Sequence, residues 1–328
     1  MRPPEFWTHD DPLSRTARTI LSPVGSLYGA TVAWRSRLTR AAHVGAKVIC
    51  VGNLTAGGTG KTPVAIAIAR ALQARGAKVA FLSRGYGGTE VGPQLVDKAR
   101  HTARDVGDEP LLLANVAPTV IARDRAEGAR LAVSRGADVI VMDDGHQNFA
   151  VRKDFSLVVV DSKCPFGNGR VLPAGPLRER PKQGLKRADA IVIVGDGAPP
   201  SLQEITLPSL RVRIEPDNAA VVKGKRVLAF AGIGQPQRFF DTLRALTNDL
   251  VETRTFDDHH TYTADEIAAI ESVAQREQVL PVTTEKDWVR LPPEARERIA
   301  FLAVHARFDD DAALGRLLDR VVRPAANA

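Results

Sequence analysis

The sequence predicts an α/β protein: a doubly wound, mostly parallel sheet, followed by a second, smaller α/β unit joined to it by a two-stranded linker. Short runs of Val, Ile and Leu recur at residues 48–51, 79–82, 120–122, 139–142, 157–160 and 191–194. Continuous apolar runs of this length suit strands buried on both faces, and the helical spacing between them suits the crossovers of a parallel sheet. A second set of apolar runs, near residues 227–230, 250–255, 281–284 and 301–305, marks the smaller unit. The composition agrees, because 328 residues with 44% hydrophobic and 25% charged side chains describe an ordinary globular chain of one large or two common-sized domains. Disorder, collagen and coiled coil are excluded.

Taken in order, residues 1–40 read as a basic amphipathic segment belonging to the first domain. Leu13, Ala17, Ile20, Leu21, Val24, Leu27, Tyr28, Val32 and Leu38 recur at mostly three- and four-residue steps, with Arg15, Arg18, Arg35, Arg37 and Arg40 between or after them. Pro23 predicts a break in that helix. Two readings stay open: a helix packed on its own domain, or an interfacial helix with its apolar face at the acyl boundary and its arginines on anionic head groups. No apolar run approaches the roughly 20 residues that cross a bilayer, and Glu5, Asp10 and Asp11 stand where a signal peptide is positive. The two cysteines, Cys50 and Cys164, are too few for a disulfide framework or a cysteine metal site and suit a reducing cytoplasm.

The net charge of +7 is uneven, with eleven basic residues and no acidic one between Asp11 and Glu90. The remainder carries a slight acidic excess. Basicity confined to one quarter of the chain, with no nucleic-acid-binding motif, argues against DNA or RNA as the partner.

The run at 48–51 leads into Gly52-Asn53-Leu54-Thr55-Ala56-Gly57-Gly58-Thr59-Gly60-Lys61-Thr62-Pro63 and then an apolar helix. Strand, glycine-rich loop, Lys-Thr and helix come in the order of a phosphate loop, where backbone N–H groups and a helix N-terminus converge on phosphates. Residues 55–62 are therefore the expected nucleotide cradle, with Lys61 neutralising the β- and γ-phosphates and the Thr62 hydroxyl on Mg²⁺. Thr55 occupies the position of the motif's first glycine, so the strict pattern is not met. The run at 139–142 ends in Asp143-Asp144, an acidic strand end suited to a carboxylate beside Mg²⁺. Residues 41–205 thus read as a P-loop NTPase-like domain binding ATP and Mg²⁺. Residues 206–223 read as the linker, two extended segments hinged about Pro216-Asp217-Asn218, and 224–328 as the C-terminal α/β domain. Ala231-Gly232-Ile233-Gly234 follows a strand but lacks a third glycine, so it reads as a strand-to-helix turn rather than a dinucleotide site.

Further motifs join these: Arg84-Gly85-Tyr86-Gly87, Gly107-Asp108-Glu109-Pro110, Asp143-Asp144-Gly145-His146-Gln147, residues 172–179, Asp257-Asp258-His259-His260 and Thr284-Glu285-Lys286-Asp287. Together and in this order they resemble the tetraacyldisaccharide 4′-kinase (LpxK) family of lipid A biosynthesis. The resemblance implies transfer of the ATP γ-phosphate to the 4′-hydroxyl of a tetraacylated glucosamine disaccharide 1-phosphate, by a peripheral enzyme on the cytoplasmic face of a Gram-negative inner membrane. Asp108 is then the general base, with His260 reaching in from the second domain to tune it, alongside Lys61 and Asp144 as catalytic residues. From the residues alone, Asp108 serves equally as a helix N-cap and His260 as an ordinary surface or core histidine. Thr62, Asp143 and Glu109 are the expected metal ligands. Asn53, Arg123, His146, Gln147 and Arg178 are the expected substrate contacts, Arg178 because an arginine fork suits a phosphate; Arg125 is a lesser candidate of the same kind. The expected partners are the lipid substrate and an anionic membrane surface, with the protein a monomer. Two alternatives remain at this stage: a partitioning or metallochaperone NTPase, whose signature lysine is Ala56 here, and a nucleotide-gated membrane-binding module without acceptor chemistry.

Overall fold

The computed structural model describes residues 4–322, so the first three residues of the N-terminal segment and residues 323–328 of the expected C-terminal domain lie outside the described residues. The chain opens with helix α1 (Pro12–Leu38), followed by β1 (Lys47–Gly52), α2 (Lys61–Gln73), β2 (Val79–Ser83), β3 (Gln94–Leu95) and β4 (Thr119–Ile121). Next come β5 (Val139–Asp143), β6 (Phe155–Asp161), β7 (Ala190–Val194) and β8 (Ser209–Pro216). The second unit contributes β9 (Arg226–Ala231), β10 (Asp249–Thr255), β11 (Leu280–Thr284) and β12 (Ala300–Leu302), and β13 (Val304–Phe308) follows.

The main sheet has nine strands in the order β13-β8-β7-β6-β1-β5-β2-β4-β3, parallel except for the outer pairs β13–β8 and β3–β4. The smaller sheet, β10-β9-β11-β12, is wholly parallel. In the main sheet β1 lies at the centre, between β5 and β6. Its alternate residues feed two cores: Ile49 and Val51 meet Val64, Ile68 and Leu72 of α2 on one face, while Val48 meets Ala126, Ala129 and Ala132 of the helix Arg125–Ser134 on the other. Both faces are dry, which is why these strands read as unbroken apolar runs. The loop after β1 therefore leaves the central strand of the sheet, packed on both faces.

The linker departs from expectation. Residues 209–216 enter the main sheet parallel to β7, and residues 219–221 form a single 3₁₀ turn instead of a returning strand. The second strand of the ribbon is β13, which pairs antiparallel with β8. Asn218 joins the two crossings, its Nδ2 donating to Phe301 O at 3.0 Å and its Oδ1 accepting from Ala303 N at 2.8 Å. The C-terminal domain is accordingly shorter than 224–328. From β13 onward the chain is back on the first unit, where Leu314, Leu317, Leu318 and Val321 of helix Asp311–Val322 join the core beside Ile68 and Leu72.

Helix α1 runs unbroken through Pro23. Pro23 and Thr19, whose carbonyl loses its partner, both lie on the exposed side, where water satisfies that carbonyl. The buried face of α1 consists of small residues, Ser14, Gly25, Gly29 and Val32. A Cβ on Gly25 would stand 2.7 Å from Val171 O, so glycine is what lets the helix lie on that loop. The large apolar side chains point outward: Leu13 is 82%, Ile20 69%, Leu27 68% and Trp34 64% exposed. No described helix is long and apolar enough to cross a membrane.

Candidate active site

The glycine-rich loop turns into α2 at Gly60, whose φ of 83° puts it in the left-handed region, as does 111° at Gly57. Thr55 is not in that region, so its backbone places no demand for glycine. The loop's first half is clamped from the side: Ala56 N donates to Pro176 O and Arg178 N to Leu54 O, both at 2.7 Å. Asn53 is fully buried beneath it, its Nδ2 donating to Thr59 Oγ1 at 3.2 Å and its carbonyl accepting from Gln147 Nε2 at 2.9 Å. Gln147 also donates to Glu179 Oε1 at 3.0 Å. Asn53 and Gln147 thus shape the loop from within.

Asp143 and Asp144 emerge from β5 beside Lys61 and Thr62. Asp144 takes a left-handed φ of 50°, which turns its carboxylate toward Arg178 Nη1 at 2.9 and 3.0 Å and Lys61 Nζ at 3.8 Å. Burial opposes its ionisation, but Lys61 and Arg178 outweigh burial and hold the carboxyl at about 2. Arg178 is therefore positioned by Asp144. Asp143 differs. Burial, Glu109 and Asp144 together raise its pKa to about 7. Its Oδ2 accepts from the Thr62 hydroxyl at 3.2 Å, while its Oδ1 is buried without a hydrogen-bond partner. An orphaned, proton-hungry carboxylate oxygen beside a hydroxyl fits a divalent cation. Mg²⁺ takes one or two protein oxygens and completes its shell with phosphate and water, a demand that the Thr62 hydroxyl and Asp143 carboxylate can meet.

Asp108 is the first residue of the helix Asp108–Leu113, whose N-cap is Gly107, so the N-cap role is not what it plays. Its carboxylate is 2% exposed. Oδ1 accepts from Glu109 N at 2.8 Å, and Oδ2 accepts from His259 Nδ1 at 3.0 Å with Arg290 Nε 3.4 Å away. Burial alone would raise its pKa, but Lys286, His259 and Arg290 together hold it below the usual carboxylate range. The bond to Asp108 in turn raises the His259 pKa.

The expected partner of Asp108 was His260, and here the structure corrects the sequence. His260 Nε2 donates to Glu266 Oε2 at 2.9 Å, and its ring stacks on Phe256 at 4.9 Å. His259, with a left-handed φ of 59°, is the one turned across to the first unit. His146 is also corrected: it is fully buried, bonded to Ser156 Oγ at 3.1 Å and Gly184 O at 3.0 Å, and burial with Lys153 and Arg187 drives its pKa down to about 3. It is a neutral packing residue without access to a substrate. Arg123 is exposed, whereas Arg125 is buried with its Nη1 unpartnered and with Asp144 and Asp143 among its charged neighbours; burial lowers its pKa to about 10. Glu109, an expected metal ligand, pairs with Lys286 Nζ at 2.8 Å.

A family model for tetraacyldisaccharide-1-P 4′-kinase, LpxK, matches residues 17–323. The chain belongs to that family. It is 50% identical to the tetraacyldisaccharide 4′-kinase of Bradyrhizobium diazoefficiens, over 97% of this chain and 96% of that one, and 48% identical to the kinase of that name from Paramagnetospirillum magneticum, over 98% and 99%. The solved structure of LpxK from Aquifex aeolicus in complex with ATP superposes with a TM-score of 0.73 at 26% identity, covering 93% of this chain and 99% of that one. A family match of this span sets aside the partitioning or metallochaperone NTPase and the non-enzymatic module.

Within the family frame, His259, Lys286 and Asp287 stand in the quoted motifs without a role of their own, and Arg290 stands outside them. The available signal was the 284–287 run, where a threonine caps the helix Glu285–Trp288 directly after β11. Asp287 is fully buried and accepts from Gly232 N at 2.9 Å, Tyr262 OH at 2.6 Å and Arg290 Nη2 at 2.9 Å.

The raised Asp143 pKa yields a test. Between roughly pH 4 and 7 the unfolded chain, with an ordinary aspartate, binds fewer protons than the folded one, so this group's contribution to stability falls as pH rises through that window. Above pH 7 the cost of ionising Asp143 is complete, and Asp143→Asn removes it. In metal-free buffer the variant should melt above the parent at pH 8, with the gap narrowing as pH falls toward 4. A gap that ignores pH, or a variant less stable at pH 8, contradicts the assignment.

Proposed function

We propose that this chain is an ATP-dependent tetraacyldisaccharide 4′-kinase of lipid A biosynthesis, transferring the γ-phosphate to the 4′-hydroxyl of a tetraacylated glucosamine disaccharide 1-phosphate. The observation that carries the reading is the pairing of Asp108 with His259 across the seam between the two units, on the same sheet edge as Lys61, Thr62 and Asp143. Phosphoryl transfer asks the protein for charge neutralisation, an aligned hydroxyl and a proton acceptor, with little covalent chemistry. Lys61 neutralises the phosphates. Thr62 and Asp143 would hold Mg²⁺, with Glu109 within reach if it parts from Lys286, and the ion supplies electrostatic stabilisation of the β- and γ-oxygens when bound. Asp108, kept ionised by its cationic neighbours, takes the proton as the hydroxyl attacks, and His259 fixes the direction of its carboxylate. In a loose transition state the proton leaves late, so a weakly basic carboxylate suffices. Arg178, held on Asp144, and the buried Arg125 offer guanidinium groups to phosphate oxygens.

The acceptor is a lipid, and the outward apolar stripe of α1 supports a peripheral seat on a membrane, at the cytoplasmic face of the inner membrane where ATP is available. Leu13, Ile20, Leu27 and Trp34 would enter the acyl boundary, with Arg35, Arg37 and Arg40 at head-group level. The loop that α1 lies on continues into the glycine-loop clamp at Pro176 and to Arg178. The acyl chains would thus rest close to the phosphate-loop end of the site.

Purified protein should transfer label from γ-labelled ATP to the tetraacyl disaccharide 1-phosphate. Lys61→Ala should abolish nearly all turnover, and Asp108→Ala should keep ATP binding while losing about 10²- to 10⁴-fold in transfer; wild-type transfer by either variant contradicts the assignment. Replacing Ile20 and Leu27 with Ser should weaken partitioning onto anionic vesicles by at least about tenfold, since each buried side chain of this size contributes roughly 1.5–3 kcal/mol. Unchanged partitioning would rule out the stripe as the contact.

A further inference from the structure

Among the contacts between the second unit and the first, two bear directly on the site. One is the catalytic end, where His259 and Arg290 face Asp108 and Lys286 holds Glu109. The other is the crest of the glycine-rich loop. There the turn after β9 comes so close that a Cβ on Gly234 would stand 3.1 Å from Gly58 N and 3.9 Å from Gly57 Cα. Beside it Arg238, in the first turn of helix Pro236–Leu246, pairs with the buried carboxylate of Asp161 at the end of β6.

Buried Asp287 ties these two places together by hydrogen bonds. It accepts from Gly232 N, which starts the turn on the loop, and from Arg290, whose Nη2 also donates to Gly232 O at 2.9 Å and whose Nη1 donates to His260 O at 3.0 Å. A shift of the turn on the loop therefore carries His259 with it.

Gly234 is not in the left-handed region, so its own backbone would accept alanine. The one tight contact at that Cβ position, Gly58 N, lies across the seam; Asp258 Oδ2, from its own unit, is at an ordinary 3.5 Å. What crowds a side chain there is the approach of the other unit, whose loop backbone would have to yield by a few tenths of an ångström. We propose that Gly234 is a positioning residue: its bare backbone seats the second unit on the phosphate-loop crest and so sets the separation at which His259 and Lys286 meet Asp108 and Glu109. Arg238–Asp161 holds the seat from the side. This rests on the kinase reading above, in which that separation matters only because Asp108 receives the hydroxyl proton.

The test uses full-length Gly234→Val and Gly234→Ala, assayed for transfer to the lipid disaccharide with saturating ATP. A displacement near 1 Å at a reacting centre costs roughly 100-fold, so Gly234→Val should lose about that much kcat, and Gly234→Ala less, with the acceptor KM and the melting temperature little changed. The deciding measurement is the double variant with His259→Ala. If Gly234→Val acts by withdrawing His259, adding His259→Ala should cost almost nothing more, because coupled sites are non-additive. Wild-type kcat in Gly234→Val, or losses that multiply in full, overturn the proposal. Should Gly234→Val fail to fold, the same cycle with Gly234→Ala decides, and full multiplication there overturns the proposal equally. A wild-type protein that transfers no phosphate would instead sink the kinase reading itself.

Discussion

Four carboxylates converge where the central strands of the main sheet end: Asp108, Glu109, Asp143 and Asp144, of which Asp108 and Asp143 are buried and the other two half-buried. Such a concentration of buried negative charge is untenable without nearby cations. The first unit supplies Lys61, Arg178 and the buried Arg125, and these settle Asp144. It has no such arrangement for Asp108 and Glu109, whose partners Lys286, Arg290 and His259 all come from the second unit. Charge balance at this edge thus requires two units held face to face. Asp143 is the exception, left with an unpartnered oxygen and a pKa near 7, and the imbalance marks the place where a further positive charge belongs.

The same edge is tied to the surface through one loop. Gly25 of α1 lies on Val171, and Trp7 Nε1 donates to Pro173 O at 3.0 Å. A few residues on, Pro176 receives Ala56 N and Arg178 reaches Asp144. Small residues on the inner face of α1 allow the close seat; the large ones are left for the outside. A helix with its bulk turned outward and its glycines inward is built to present a surface, and a short run of loop separates that surface from the phosphate-binding end of the site.

What could be read from the sequence was what is local. The strand, glycine-rich loop and Lys61-Thr62 helix start occupy one stretch of chain, and β1, β2 and β4 to β7 appear as apolar runs because both sheet faces are dry, whereas the short edge strand β3 does not. The contributions of distant segments could not be read in this way. β13 returns to the main sheet with only Ala306 and Phe308 buried on the inward side, a half-buried edge pattern unlike the continuous runs. His259 and His260 are adjacent and chemically identical, and only the left-handed turn at His259 decides which crosses the seam. His146 sits in a catalytic-looking acidic motif, yet its Cβ lies against the bare Cα of Gly52, which draws the imidazole inward under the loop. The amphipathic spacing of α1 was legible, but which face packs depends on Val171, more than a hundred residues away.

The central claim is that the base acts through a contact made by His259 and not by its neighbour. It is tested most directly by comparing kcat for His259→Ala and His260→Ala, both assayed well below their melting temperatures. The account predicts that His259→Ala loses at least about tenfold in kcat while ATP affinity holds, and that His260→Ala, which removes a packing ring and a bond to Glu266, costs stability more than turnover. A His259→Ala enzyme with parental kcat beside a crippled but well-folded His260→Ala enzyme would contradict it.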